Sequence, residues 1–194
     1  NKIIISAFGE VPDFAKTHVK DMRVRWALAE AGLAYDDFLV NSVTKEDPEY
    51  LAWQPFGQVP AYRDEDVTMF ESGAIVLRIA ARSEALAPAD DVGRTRVATW
   101  VFAALNSVEP VVTAVALADL LFGDEPWRDA YRARVAPMLD KRLGQLANSR
   151  QRDVFGRVWW AYYAASRYVL LYLEDRPEES LQASEEASSI ARSV

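Results

Sequence analysis

Cysteine is absent from all 194 residues of this chain. That excludes a disulfide scaffold, thiolate metal sites, and any reaction in which a protein thiol is the nucleophile. Histidine occurs once, as His18, which argues against a histidine metal centre, so no metal is expected. Basic residues are also scarce: 22 Lys and Arg face 29 Asp and Glu, for a net charge of −7. Holding a phosphate backbone takes concentrated Lys and Arg, so nucleic acid is not the expected partner. Long apolar runs are missing as well. No stretch approaches the ~18 apolar residues of a membrane span, and Lys2-Ile3-Ile4-Ile5 is too short for a secretory leader. The expectations are no membrane partner and a cytoplasmic location.

With 51% apolar and 26% charged residues, the composition is that of an ordinary globular protein. The length suits one large domain or two small ones, each able to bury a core. Lys2 to Ala7 is a β-branched apolar run, the signature of a buried strand, with Ser6 at the core edge. A connector, Phe8 to about Lys16, carries Gly9 and Pro12. From Thr17 to Ala31, Val19, Met22, Trp26, Ala29 and Leu33 fit helical spacing, and Gly32 is placed to end the helix. Tyr35 to Val40 reads as a second strand. Asp47-Pro48 opens a short helix reaching about Trp53. Ala61–Arg63 and Val67–Phe70 form a hairpin around Asp64-Glu65-Asp66, and Ser72 to Ser83 is a helix with Ile75 and Ile79 inward and Leu77 as a further inward candidate.

This order, βαβαββα in 1–84, predicts an α/β domain. Glu84 to Asp91, with Pro88, reads as a linker at 85–91, and 92–194 is all-helical. Its first helix, Val92 to about Ala118, is expected to kink near Pro110. The next is capped by Asp124-Glu125-Pro126 and carries the stripe Tyr131, Val135, Leu139, Leu143 and Leu146. Phe155 to Leu173 is apolar on several faces, which predicts a buried helix, and the Glu- and Ser-rich tail beyond is expected to fray.

The chemistry concentrates in Gln54-Pro55-Phe56-Gly57-Gln58-Val59-Pro60-Ala61-Tyr62 and Phe70-Glu71-Ser72-Gly73-Ala74-Ile75. Pro60 has no N–H, so it can begin a strand but not sit in its middle. It also holds Val59 extended, and a Val-Pro peptide in a tight turn is a cis candidate. An extended Val59 offers its N–H and C=O to a ligand as a free edge does. Glu71 and Ser72 fall at a helix start, with its unpaired N–H groups and partial positive charge. Together they describe a pocket for a peptide-like ligand with a carboxylate. Gln58 can equally be a plain turn residue, and Glu71-Ser72 a plain cap. Tyr62 and Trp53 are expected in the core or rim, and Arg78, Arg94 and Arg96 in solvent or at a subunit contact.

The spacing of Gln58-Val59-Pro60 and Glu71-Ser72-Gly73-Ala74-Ile75 resembles the glutathione-binding half of the cytosolic glutathione transferases. The resemblance runs from Lys2 to about Gln145. It implies a thioredoxin-like N-terminal domain followed by an all-α C-terminal domain, and glutathione as co-substrate. Gln58, Val59, Pro60, Glu71 and Ser72 would bind glutathione. It also implies a thiolate attacking a small electrophilic substrate, and a homodimer. The lack of cysteine sets aside the family's cysteine-type classes. Counting back from Arg23-Val24-Arg25-Trp26-Ala27-Leu28, the activating position falls at Thr17 or His18. Thr17 also reads as a helix N-cap, and His18 as a solvated side chain. The chain departs from the family in two places. The connector lacks a Ser-Pro signature, and Gly156-Arg157-Val158-Trp159-Trp160-Ala161-Tyr162 lacks the expected hydroxyl and acid. These departures leave a second expectation open, a non-catalytic relative acting as a binding or stress protein.

Overall fold

A computed structural model describes residues 2–12 and 19–147. Thr17, His18, the 156–162 segment, the helix predicted for Phe155–Leu173 and the tail lie outside the described residues. The chain separates into two compact units, Asn1–Ala98 and Thr99–Val194.

In the first unit, strand β1 (Ile3–Phe8) pairs in parallel with β2 (Tyr35–Val40) and antiparallel with β3 (Ala61–Arg63). Strand β4 (Thr68–Phe70) pairs antiparallel with β3, giving the order β2-β1-β3-β4. Helix α1 (Asp21–Glu30) connects β1 to β2, and α2 (Pro48–Leu51) precedes β3. Helix α3 (Ser72–Ala80) follows β4 directly. This is the thioredoxin-like arrangement, and its core holds Ile3, Ile5, Val24, Leu28, Tyr62, Ile75 and Ile79.

Helix α1 corrects two expectations. It starts at Asp21 with Lys20 as N-cap, so Thr17 is not its cap. Asp21 supplies the acidic first turn, which suits the helix dipole, and it is tied to Arg25 one turn on at 2.9 Å. The buried face is Val24, Ala27 and Leu28, whereas Met22 and Ala29 are exposed. Both stripes satisfy helical spacing, and only packing on the sheet chooses between them. In α3, Ile75 and Ile79 face inward as expected, but they are joined by buried Val76, and Leu77 is only half-buried.

Helix α4 (Asp91–Ala103) is capped by Asp90, whose carboxylate accepts the Gly93 N–H at 2.8 Å. Gly93 is required there, because a Cβ would come within 2.5 Å of the Pro88 ring. Leu86 and Ala87, in the stretch read as a linker, are buried.

A π-helical turn at Ala104–Val108 leads into α5 (Glu109–Leu121), with Pro110 in its first turn. The proline removes one backbone donor, and the widened turn absorbs the interruption. Helix α6 (Arg128–Ala147) starts two residues beyond the proposed Pro126 opening. Turns Phe122–Glu125 and Glu125–Arg128 intervene. In this second unit Val108, Val115, Leu139 and Leu143 form the core, with Val135 half-buried against it and Tyr131 largely exposed. The continuous run Asp91–Ala118 contains an 18-residue window of mean hydropathy 1.7, of which 22% is buried. By length and composition it reaches a membrane span, contrary to the sequence expectation, although Asn106, Glu109 and Pro110 lie within the run.

Candidate functional site

The β3–β4 ladder ends with Ala61 opposite Phe70. One step further out, Pro60 faces Glu71 across the open end of the hairpin, so antiparallel pairing alone brings the two motifs side by side. The same end of the sheet holds the C-terminal end of β1 and the start of α3.

The approach to β3 is a tight turn. The Gly57 N–H donates to the Gln54 carbonyl, and the Phe56 N–H donates to the Gln54 side-chain oxygen at 2.8 Å. Gly57 has φ +58°, and a Cβ there would meet the Lys45 carbonyl and a Glu46 carboxylate oxygen at 3.1 Å. Glycine is therefore required on two counts. Phe56 is exposed, with its ring edge-on to Phe70.

Beyond the turn Gln58 is exposed, while Val59 and Pro60 are buried and joined by a cis peptide bond. The Val59 side chain packs with Val40, Tyr50, Trp53 and Ala61. Among the described residues its main-chain N–H and C=O have no backbone partner. Trp53 and Tyr62 belong to the core, and the Arg63 guanidinium covers the Trp53 ring at 3.6 Å.

Glu71 is exposed, with φ +70° and ψ 112°. This backbone region costs a non-glycine residue about 1–3 kcal/mol, and such strain concentrates at binding and catalytic sites. Glu71 is the N-cap of α3 but makes no side-chain capping bond. The simple cap reading is thus not met, and its carboxylate stands at the positive end of the helix. Ser72 is buried, and its Oγ accepts a hydrogen bond from Arg23 Nη1 of α1 at 3.2 Å.

Two hydrogen-bonded networks support these corners, and the sequence reading missed both. Under Val59 the Ala61 N–H donates to Ser6 Oγ at 2.6 Å, and Ser6 Oγ lies 2.7 Å from the Tyr50 hydroxyl. The Tyr50 hydroxyl in turn donates to the Gln58 carbonyl. Burial pushes the Tyr50 hydroxyl pKa up, against the bond to Ser6, so Tyr50 stays a proton donor. The available signal was Ser6 itself, a lone hydroxyl in an apolar strand, which once buried must find partners.

The second network centres on Asp64, whose side chain is buried. Its Oδ1 accepts the Asp66 and Val67 N–H groups, and Oδ2 accepts Tyr62 Oη at 2.8 Å and Arg78 Nη2 at 3.1 Å. Arg82 approaches both Asp64 and Tyr62, and Arg78 also pairs with Asp66. Arg78 is therefore an internal tie between α3 and the hairpin, not the solvated or subunit-contact side chain expected. Burial raises the Asp64 pKa, but the bonds from Tyr62, Arg78 and the two N–H groups outweigh it and bring it to about 2. Among the described residues, no group of three or more His, Asp and Glu side chains is arranged to hold a metal.

Residues 15–81 match the family described as "Glutathione S-transferase, N-terminal domain". Glutathione S-transferase F10 of Arabidopsis thaliana is 32% identical over 150 residues, covering 70% of this chain and 69% of that protein. Glutathione S-transferase 1 of Zea mays is 34% identical over 109 residues, covering 52% of this chain and 51% of the relative. Among solved structures, a glutathione transferase family member from Pseudomonas fluorescens with two glutathione bound aligns with TM-score 0.72 at 19% identity. That alignment spans 98% of this chain and 87% of the other. The poplar glutathione transferase F1 mutant Ser 13 Cys aligns with TM-score 0.68 at 20% identity over the whole of both chains. These structural likenesses speak to the fold, whereas the sequence matches carry the kinship. The chain belongs to the glutathione S-transferase family.

Proposed function

We propose that this chain is a glutathione transferase, which binds glutathione at the open end of the β3–β4 hairpin and activates its thiol for attack on a small electrophile. The observation that carries the reading is the juxtaposition at that end. The Val59 main chain, free of backbone partners among the described residues, lies beside the strained, exposed Glu71 at the N-terminus of α3. Val59 would pair with the cysteinyl backbone, flanked by Gln58 and Pro60. Glu71 and Ser72 would hold the γ-glutamyl end, where a carboxylate meets the helix dipole and Glu71 meets an ammonium.

Activation needs a hydroxyl or similar donor. A free thiol has a pKa of about 8.5, and lowering it by ~2 units takes about 2.7 kcal/mol of preference for the anion. One hydrogen bond to a charged acceptor contributes roughly 1.5–3 kcal/mol. A single donor therefore suffices without a metal, and Thr17, with His18 as the other candidate, is assigned that role. A cytoplasmic homodimer completes the reading, checked by a size measurement in solution.

The experiment is retention on immobilised glutathione together with a conjugation assay. The wild-type chain should be retained, and Glu71→Ala should abolish retention. In Thr17→Val conjugation should fall steeply while retention persists. Absence of binding at millimolar glutathione defeats the proposal. Binding without conjugation across a broad electrophile panel assigns the chain to the non-catalytic alternative.

A further inference from the structure

Val59 and Pro60 are flanked by the two ends of one buried relay: the Ala61 N–H to Ser6, Ser6 to Tyr50, and Tyr50 to the Gln58 carbonyl. Proton bookkeeping fixes the direction of the chain. Tyr50 has one proton and gives it to Gln58, so Ser6 must donate to the Tyr50 oxygen and is left to accept from Ala61. Every hydroxyl in the relay is then satisfied once as donor and once as acceptor. Ser6 is fully buried and Tyr50 nearly so, with the Tyr50 ring stacked parallel to Phe38 at 6.1 Å. The relay thus stands on β1 and α2, not on the loop it holds.

Peptide planarity converts this support into an aim. The Gln58 carbonyl and the Val59 N–H belong to one trans peptide unit and point in opposite directions. When Tyr50 holds the Gln58 carbonyl inward, the Val59 N–H is turned away from the core. At the other end, Ser6 holds the Ala61 N–H inward, and the Pro60 carbonyl is turned away by the same rule. The relay therefore orients the main-chain groups around Val59 without itself occupying the surface they face.

We infer that Ser6 and Tyr50 are positioning residues for ligand binding: their hydroxyl relay presets the Val59 N–H in the direction in which a peptide-like ligand approaches. This rests on the reading that glutathione binds along Val59. Without the relay the Gln58–Val59 peptide is free to rotate, and the ligand must order it on binding.

Tyr50→Phe tests this directly, because the ring and its stacking on Phe38 remain and only the hydroxyl is lost. Calorimetric titration with glutathione should show a Kd raised about 3- to 10-fold, the scale of one buried hydrogen bond. KM for glutathione should rise by more than kcat falls. Ser6→Ala, which leaves the Tyr50–Gln58 bond able to form, should raise Kd less. The double variant should fall short of the sum of the two effects, since both act through one chain of bonds. Amide hydrogen exchange should quicken at Ala61 in Tyr50→Phe with or without glutathione, and at Val59 when glutathione is bound. A purely structural role would lower the melting temperature while leaving the Kd of the folded protein unchanged, and that result overturns the inference. So does unchanged exchange at Ala61 together with unchanged exchange at Val59 in the glutathione-bound protein. If the wild-type chain binds no glutathione at all, the underlying glutathione reading fails instead.

Discussion

The two networks beneath the candidate site use opposite chemistry for similar tasks. Under Val59 the support is neutral: two hydroxyls, one N–H and one carbonyl, all bonded and nearly all buried. Under α3 it is ionic: a buried Asp64 carboxylate held by Tyr62, two N–H groups and the half-buried Arg78 and Arg82. A neutral relay is directional and indifferent to pH, which suits orienting a peptide unit. An ionic cluster is stronger per partner but depends on every charge keeping its counterpart. It suits a mechanical tie, here between a hairpin of three-residue strands and the helix that presents Glu71 and Ser72.

Breaking the ionic side should have the larger effect on stability. Asp64→Ala leaves Arg78 and Arg82 without their buried acceptor and strands the Asp66 and Val67 N–H groups. Chemical denaturation should show a loss of about 2–4 kcal/mol, below the full cost of a deeply buried pair because both arginines reach solvent. A loss under ~1 kcal/mol would mean the neutral and ionic supports are equivalent.

Acid separates the two next. The Asp64 pKa is depressed from 3.8 to about 2 in the folded chain. Its contribution is therefore complete above pH 3.8 and is lost as the pH falls from 3.8 to 2, amounting to about 2 kcal/mol. Stability measured across that interval should decline in the wild type and in Tyr50→Phe alike. In Asp64→Asn the decline should be shallower by that amount. An unchanged acid limb in Asp64→Asn would remove Asp64 from the account.

The smallest effect has the opposite sign. Glu71→Gly relieves the φ of +70° and should leave the protein as stable or up to about 1 kcal/mol more stable, while glutathione retention is lost. A stability gain with retained binding would show that strain at this corner is unrelated to ligand capture.

How much of this was legible depended on sequence distance. Strand β1, the β3–β4 hairpin and α3 could be read from local patterns, because β-branched runs, the Asp64-Glu65-Asp66 turn and the positions of Ile75 and Ile79 signal within a few residues. The pairing of Pro60 with Glu71 was not legible, because a hairpin that closes Arg63 on Val67 would set Pro60 opposite Phe70, whereas the observed register closes Arg63 on Thr68. Helix α1 was less legible. Local spacing alone starts its first turn at Thr17 and admits a stripe through Met22 and Ala29, since two stripes on one short helix satisfy the same periodicity. Of the supports only the lone Ser6 in an apolar strand gave a signal, and its partners gave none. Ser6 and Tyr50 lie 44 residues apart, Arg23 and Ser72 49, and Asp64 and Arg78 14. No local pattern encodes a side-chain bond over such separations.

By itself the sequence determined the chemical inventory and the local backbone. A proline had to stand at the entry to β3, and no thiol or histidine cluster was available for the chemistry. Tertiary structure alone decided which way the key groups point. The Val59 N–H is aimed by a serine on one strand and a tyrosine on a helix, and Glu71 is held in a backbone conformation its own sequence disfavours. Orientation and strain are set by packing from several directions at once, and that information exists only when the distant segments meet.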